Sequence, residues 1–207
     1  MPPVLSRFAA VLLSLCAATQ AHAATTQVAV AANFTAPARE IAAAFKRDTG
    51  HDAVLSFGPS GTIYTQIAHG APFEVFLSAD AERPARAEQD RLAVPGTRFT
   101  YALGRLVLYS VTPGLVDRRG AVLARGRFAR IAVADPALAP YGSAAMDVME
   151  RMKVSRMLAP KIVRGTSIAQ AYQFVATGAA DLGFVALSQV AHVRGGSRWL
   201  VPANLHA

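Results

Sequence analysis

The residues best placed to do chemistry surround Ser60, in the run Gly58-Pro59-Ser60-Gly61-Thr62, where a hydroxyl stands between an apolar strand and a helix. Two chemistries are open to such a serine. One is nucleophilic attack, but the strand-turn-helix elbow that activates a serine needs G-x-S-x-G, and Thr62 occupies the last glycine position. The other is recognition of a small anion. The first N-H groups of a helix have no partner within it and lie at the positive end of its dipole, so they donate to an oxyanion, and a serine adds a hydroxyl beside them. A serine at a helix start is ordinarily an N-cap. The anion reading therefore requires other helix starts to aim at the same point.

The surrounding pattern supplies such starts. Ala53 to Gly70, AVLSFGPSGTIYTQIAHG, reads as a buried strand, a turn and a helix. Before it, QVAVAA leads through Asn33-Phe34-Thr35 into a helix with Ile41 and Phe45 on one face, Pro37 in its first turn and Gly50 as its stop. After it, PFEVFLSAD predicts a third strand ending at Asp80, followed by a charged, alanine-rich helix. Past Pro95-Gly96, TYALGRLVLYSV reads as one strand of about a dozen residues, interrupted by Gly104. A short helix is expected within 115–126. RIAVADP then reads as a strand, and Tyr141 opens a helix with Ala145, Met149 and Met152 on one face. KIVRGTSIAQAYQFVATGAAD repeats the unit, with Gly165-Thr166-Ser167 before a helix carrying Ile168, Ala171, Tyr172 and Val175, and LGFVA follows as a buried strand. Strands alternating with helices imply an α/β fold of mainly parallel sheets flanked by helices, with ligands bound beyond the carboxyl ends of the strands.

Composition limits the function further. A hydrophobic content of 53% over 207 residues supports a buried core and one or two domains. Residues 1–23 form a basic start, an apolar run from Phe8 to Ala18 and an Ala21-His22-Ala23 cleavage signal, the signature of a secretory signal peptide. The apolar run is too short for a membrane span. Cys16 is the sole cysteine and lies in that leader, and Leu15 stands where a lipoprotein signal carries a small residue, so the mature chain from Ala24 has no disulfide. Losing Arg7 with the leader lowers the net charge from +8 to +7. The arginines at 118, 119, 125, 127, 130 and 164 are scattered without aromatic interleaving, so the charge reads as a solvated basic face, and no nucleic-acid partner is expected.

Four motifs in order, Val30-Ala31-Ala32-Asn33-Phe34-Thr35, Ser56-Phe57-Gly58-Pro59-Ser60-Gly61-Thr62, Phe73 to Asp80, and Ala134-Asp135-Pro136, give the chain a resemblance to the periplasmic molybdate-binding proteins of ABC transporters, collinear from Gln27 to about Pro202. The resemblance implies a two-lobed type II periplasmic-binding fold with the cleft between lobes. It places lobe 1 at 24–103 with a return of the chain at about 198–207, and lobe 2 at 104–197. It also implies a non-enzymatic protein that takes molybdate or tungstate as ligand, uses no cofactor, and acts as a periplasmic monomer serving an ABC permease. At the ligand it implies Asn33 and Ser60 from the first lobe and Tyr141 and Ile168 from the second. Asn33 stands where some members have Ser and Tyr141 where those members have Ala, while Ala186 replaces a tyrosine that the Ser-type members use. The family also continues past Ala207 through another strand and helix that return to the first lobe, which leads to the expectation of a shortened chain with exposed apolar surface there.

Neutral donors suit such a ligand, because the four oxygens of a molybdate dianion only accept hydrogen bonds. The alternatives are sulfate, an organic anion or ferric iron in the same fold, and an exported serine hydrolase using Ser60. Iron calls for a cluster of tyrosines and carboxylates, whereas Tyr64, Tyr101, Tyr109, Tyr141 and Tyr172 are dispersed. The mature histidines, His51, His69, His192 and His206, show no partner pattern for catalysis, and Asp80 and Asp135 read as N-caps at strand ends.

Overall fold

The computed structural model describes residues 23–206, so all but the last residue of the expected signal peptide, with its Cys16, and the terminal Ala207 lie outside the described residues. Two sheets divide the chain into two lobes. In the first, β1 (Thr25–Ala31) lies between β2 (Asp52–Gly58) and β3 (Val75–Leu77), all parallel, with Val28 facing Leu55 on one side and Val75 on the other. The connections are the helices α1 (Thr35–Thr49), α2 (Ser60–Ala68) and α3 (Glu82–Gln89), the last lying beyond β3. Gly50 ends α1 in the left-handed conformation at φ 75°, donating its N-H to the Lys46 carbonyl.

The second lobe is built on five strands in the order β6-β5-β7-β4-β8: β4 (Leu106–Ser110), β5 (Ile131–Ala134), β6 (Ile162–Gly165), β7 (Leu182–Ala186) and β8 (Ser197–Leu200). β5 runs parallel to β6 and β7, while β4 runs antiparallel to β7 and β8. Around this sheet lie α4 (Ala121–Arg125), α5 (Pro140–Arg151), α6 (Ser155–Leu158), α7 (Ile168–Ala176) and α8 (Leu187–Val190). β4, β5 and β7 are buried at every residue, as the unbroken apolar runs LVLYS, IAVA and LGFVA require of strands covered on both faces. α5 sits directly on the end of β5 because Gly142 has no side chain: a Cβ there would come within 2.9 Å of the backbone at Ala134 and Asp135. That contact fixes where the start of α5 points.

Several expectations change in the structure. The dozen-residue strand from Thr100 shrinks to Leu106–Ser110, because 97–105 is the crossing between lobes, where Tyr101 gives its hydroxyl proton to the Ser78 carbonyl at 2.6 Å. The third strand is only Val75–Leu77, while the short helix expected within 115–126 is found at Ala121–Arg125. Ser197–Leu200 does not return to the first lobe but pairs with β4 at the edge of the second sheet. In α1 the stripe of Ile41 and Phe45 faces outward, at 58% and 38% exposure, and Ala38 packs the core instead. β2, expected as a buried strand, is half-buried, with Val54 open to solvent.

Candidate functional site

Helix and turn starts from both lobes meet around one small cavity of about 10 Å³, the room of roughly one water molecule. Asn33, Ser60, Tyr141 and Ile168 all line it, together with Ala79, Ala139 and neighbouring backbone, and no charged side chain does. Each of the four residues arrives at the carboxyl end of a strand. Asn33 sits in the 3-10 turn Ala32–Phe34 that follows β1, and Ser60 is the first residue of α2, set by the extended Pro59 (φ −64°, ψ 141°). Tyr141 is the second residue of α5, after Pro140, whose missing N-H costs nothing in a first turn. Ile168 opens α7 behind its N-cap Ser167, whose Oγ accepts the Gln170 amide at 3.2 Å.

The hydroxyls here are oriented by what they accept. Ser60 is 1% exposed, and its Oγ accepts the Ala79 amide at 2.9 Å, which leaves the hydroxyl proton to give. Ser60 is thus a first-turn residue whose side chain ties α2 to the end of β3, rather than the N-cap. The Tyr141 phenol reaches across the cleft to the Asn33 side chain and also meets the backbone at Arg105. Burial is the larger influence and pushes its pKa upward, while these two contacts hold it down. The phenol therefore stays protonated at neutral pH and lines the cavity as a potential donor. Beside it, burial first, then the proximity of Tyr141 and Asp80, pushes Tyr101 up to about 12.

Contacts between the lobes show a closed cleft. Gly61 at the start of α2 donates its amide to the Leu138 carbonyl at 2.9 Å, so this donor, free by sequence, is already taken. Ser188 in α8 gives its hydroxyl proton to the Asn33 carbonyl, and Arg83 reaches the Ala137 carbonyl at 3.4 Å. Nothing in the sequence signals Ser188 or Arg105 as partners of the site, since each acts on or through a main-chain group.

The carboxylates stay outside. Asp80 accepts the Arg83 amide at 2.9 Å and pairs with the Arg83 guanidinium, a cap on the first turn of α3. Asp135 is not an N-cap: its Oδ1 accepts the Ala137 amide at 3.0 Å within the turn before α5. Among the described residues no three His, Cys, Asp or Glu side chains gather where they could hold a metal ion. His51 accepts the Ala24 amide and His69 contacts the Thr65 carbonyl, and no histidine lines the cavity. Ala186 is buried at the end of β7 and does not line it either.

A model of the family of bacterial extracellular solute-binding proteins matches residues 26–207. The chain is 52% identical over 205 residues to the molybdate-binding protein ModA of Azotobacter vinelandii, covering 98% of this chain and 81% of the relative. The chain belongs to this family. Within it, the molybdate-binding protein ModA of Rhodobacter capsulatus is 57% identical over 178 residues, covering 86% of this chain and 70% of the relative. The solved periplasmic molybdate-binding protein of A. vinelandii superposes with a TM-score of 0.85 at 44% identity, over 87% of this chain and 80% of that one. Membership of the solute-binding family sets the hydrolase reading of Ser60 aside: this is a binding protein, not an enzyme.

Proposed function

We propose that this protein binds molybdate, or tungstate of the same shape and charge, in the cavity between its lobes and delivers it to the permease of an ABC transporter in the periplasm. One observation carries the reading: a charge-free cavity lined by Asn33, Ser60, Tyr141 and Ile168 from both lobes. The ModA proteins to which the chain is more than half identical support it.

The donors match the ligand. Ser60 Oγ accepts the Ala79 amide and so offers its proton, and the protonated Tyr141 phenol stands beside it as a second hydroxyl donor. Asn33 has a second N-H beyond the one directed at Tyr141, and the main chain at the starts of α2 and α7 adds amides at the positive ends of helix dipoles. Spreading compensation over such groups offsets the desolvation of a dianion without a buried counter-charge. Phosphate near neutral pH keeps a proton that needs an acceptor, and no carboxylate lines this cavity. A single chain supplies the whole lining, so a monomer suffices.

Because the cavity has room for only about one water and the lobes touch, a tetraoxoanion is admitted and held only with the lobes further apart than here, where donors from both sides surround it. Calorimetry of the mature chain with molybdate, tungstate, sulfate and phosphate tests the reading. Heat with the first two and little with phosphate is expected. Absence of heat with molybdate and tungstate overturns it.

A further inference from the structure

Gly104 lies in the crossing between the lobes, one residue before the Arg105 backbone that holds the Tyr141 phenol. Its φ lies outside the left-handed region, so its backbone is one that any L-residue adopts, and conformational freedom does not explain a glycine there. Space does. A Cβ built on Gly104 falls in steric overlap with the Tyr141 hydroxyl and 3.2 Å from Cζ, and its three nearest neighbours are all atoms of the Tyr141 ring end. The tip of a side chain can swing away where backbone cannot. Relief of the overlap therefore leaves the fold in place and displaces a cavity-lining group that spans the cleft.

We infer that Gly104 is a positioning residue for anion binding: its missing side chain is the seat of the Tyr141 hydroxyl, holding that hydroxyl against Asn33 and the Arg105 amide. The inference rests on the proposed role of Tyr141 as a ligand donor. The three atoms nearest a Cβ at Gly104 all belong to Tyr141, which lines the cavity, so the residue acts through that side chain. The seat also joins recognition to the interlobe crossing, since the segment that connects the lobes packs directly against the side chain that reads the ligand.

The test is a double-mutant cycle on the mature chain with Gly104→Ala, Tyr141→Phe and both together, titrated with molybdate by calorimetry. Each single change is expected to weaken binding about tenfold, the scale of one hydrogen bond to a charged group. In the Tyr141→Phe background, Gly104→Ala should add less than about a twofold loss, because the atom it collides with is gone. A second measurement needs no ligand: in the ligand-free protein the Asn33 side-chain amide resonance should move in Gly104→Ala as it does in Tyr141→Phe. If that resonance keeps its parent position in Gly104→Ala, or if Gly104→Ala weakens molybdate equally in both backgrounds, the seat does not exist and Gly104 acts through chain flexibility. If Tyr141→Phe binds molybdate like the parent, the ligand role of Tyr141 fails instead, whatever the resonance does.

Discussion

The two lobes share a strand-turn-helix grammar but differ in how much holds them together. The second has five strands and a continuous core running from Leu106 through Ile131, Met149 and Phe184 to Trp199. The first has three strands, one of three residues, around a small buried cluster of Val28, Val30 and Ala38. Apolar residues such as Ile41, Val54 and Val75 are exposed there. Charge divides the same way: residues 24–103 carry 7 Lys and Arg against 8 Asp and Glu, and residues 104–207 carry 13 against 5. The second lobe is thus the self-sufficient partner, and the first is held closed through Asn33, Gly61 and Arg83 at the cleft. A ligand that ties the lobes together should stabilise the first more than the second.

The largest expected contrast is in packing. Phe184→Ala in β7 should lower the unfolding free energy by about 3–5 kcal/mol, whereas Phe57→Ala in half-buried β2 should cost about 1–2 kcal/mol. Urea denaturation of both variants measures this, and equal losses would erase the asymmetry. Next comes the cleft itself. Asn33→Asp keeps the shape but turns a carboxylate toward a dianion, and molybdate affinity should fall at least about a hundredfold at neutral pH. Asn33→Ser keeps a donor and should be far milder. Titration of an Asn33→Asp variant that bound like the parent would place Asn33 away from the ligand and detach the first lobe from the site.

Hydrogen exchange sharpens the comparison directly. With molybdate at about a hundred times its Kd, amides of β1, β2 and β3 should slow by up to about a hundredfold, and those of β4, β5 and β7 by much less. Uniform slowing in both sheets would mean that the lobes open as one unit. The smallest effect is alkaline. Tyr101 joins the crossing to Ser78, and its folded pKa of about 12 exceeds the unfolded value near 10, so its contribution is complete below pH 10 and lost as pH rises through 12. Melting temperature should fall across that window in the parent and less in Tyr101→Phe.

Much of this was legible in the sequence where local chemistry decides the outcome. The strand-turn-helix units placed Asn33, Ser60, Tyr141 and Ile168 each at a helix or turn start, and the structure brings all four to one cavity. Gly50 read as a helix stop and caps α1. The misread stretches are those where distant chain decides. β-rich residues from Thr100 to Arg105 predict strand, but they have no ladder partner because they cross between sheets. Ile41 and Phe45 have helical spacing, yet that face of α1 has nothing packed over it. The antiparallel place of β8 beside β4 follows from neither spacing nor composition.

The central claim is that a charge-free cavity between an unequal pair of lobes holds the metal oxyanion. A crystal structure of the mature chain grown with molybdate, with anomalous scattering used to find the metal, tests it most directly. The account predicts one molybdenum peak enclosed by Asn33, Ser60, Tyr141 and Ile168, with its oxygens within hydrogen-bond distance of those residues. A peak on the arginine-rich surface of the second lobe, with the cavity empty, would contradict it.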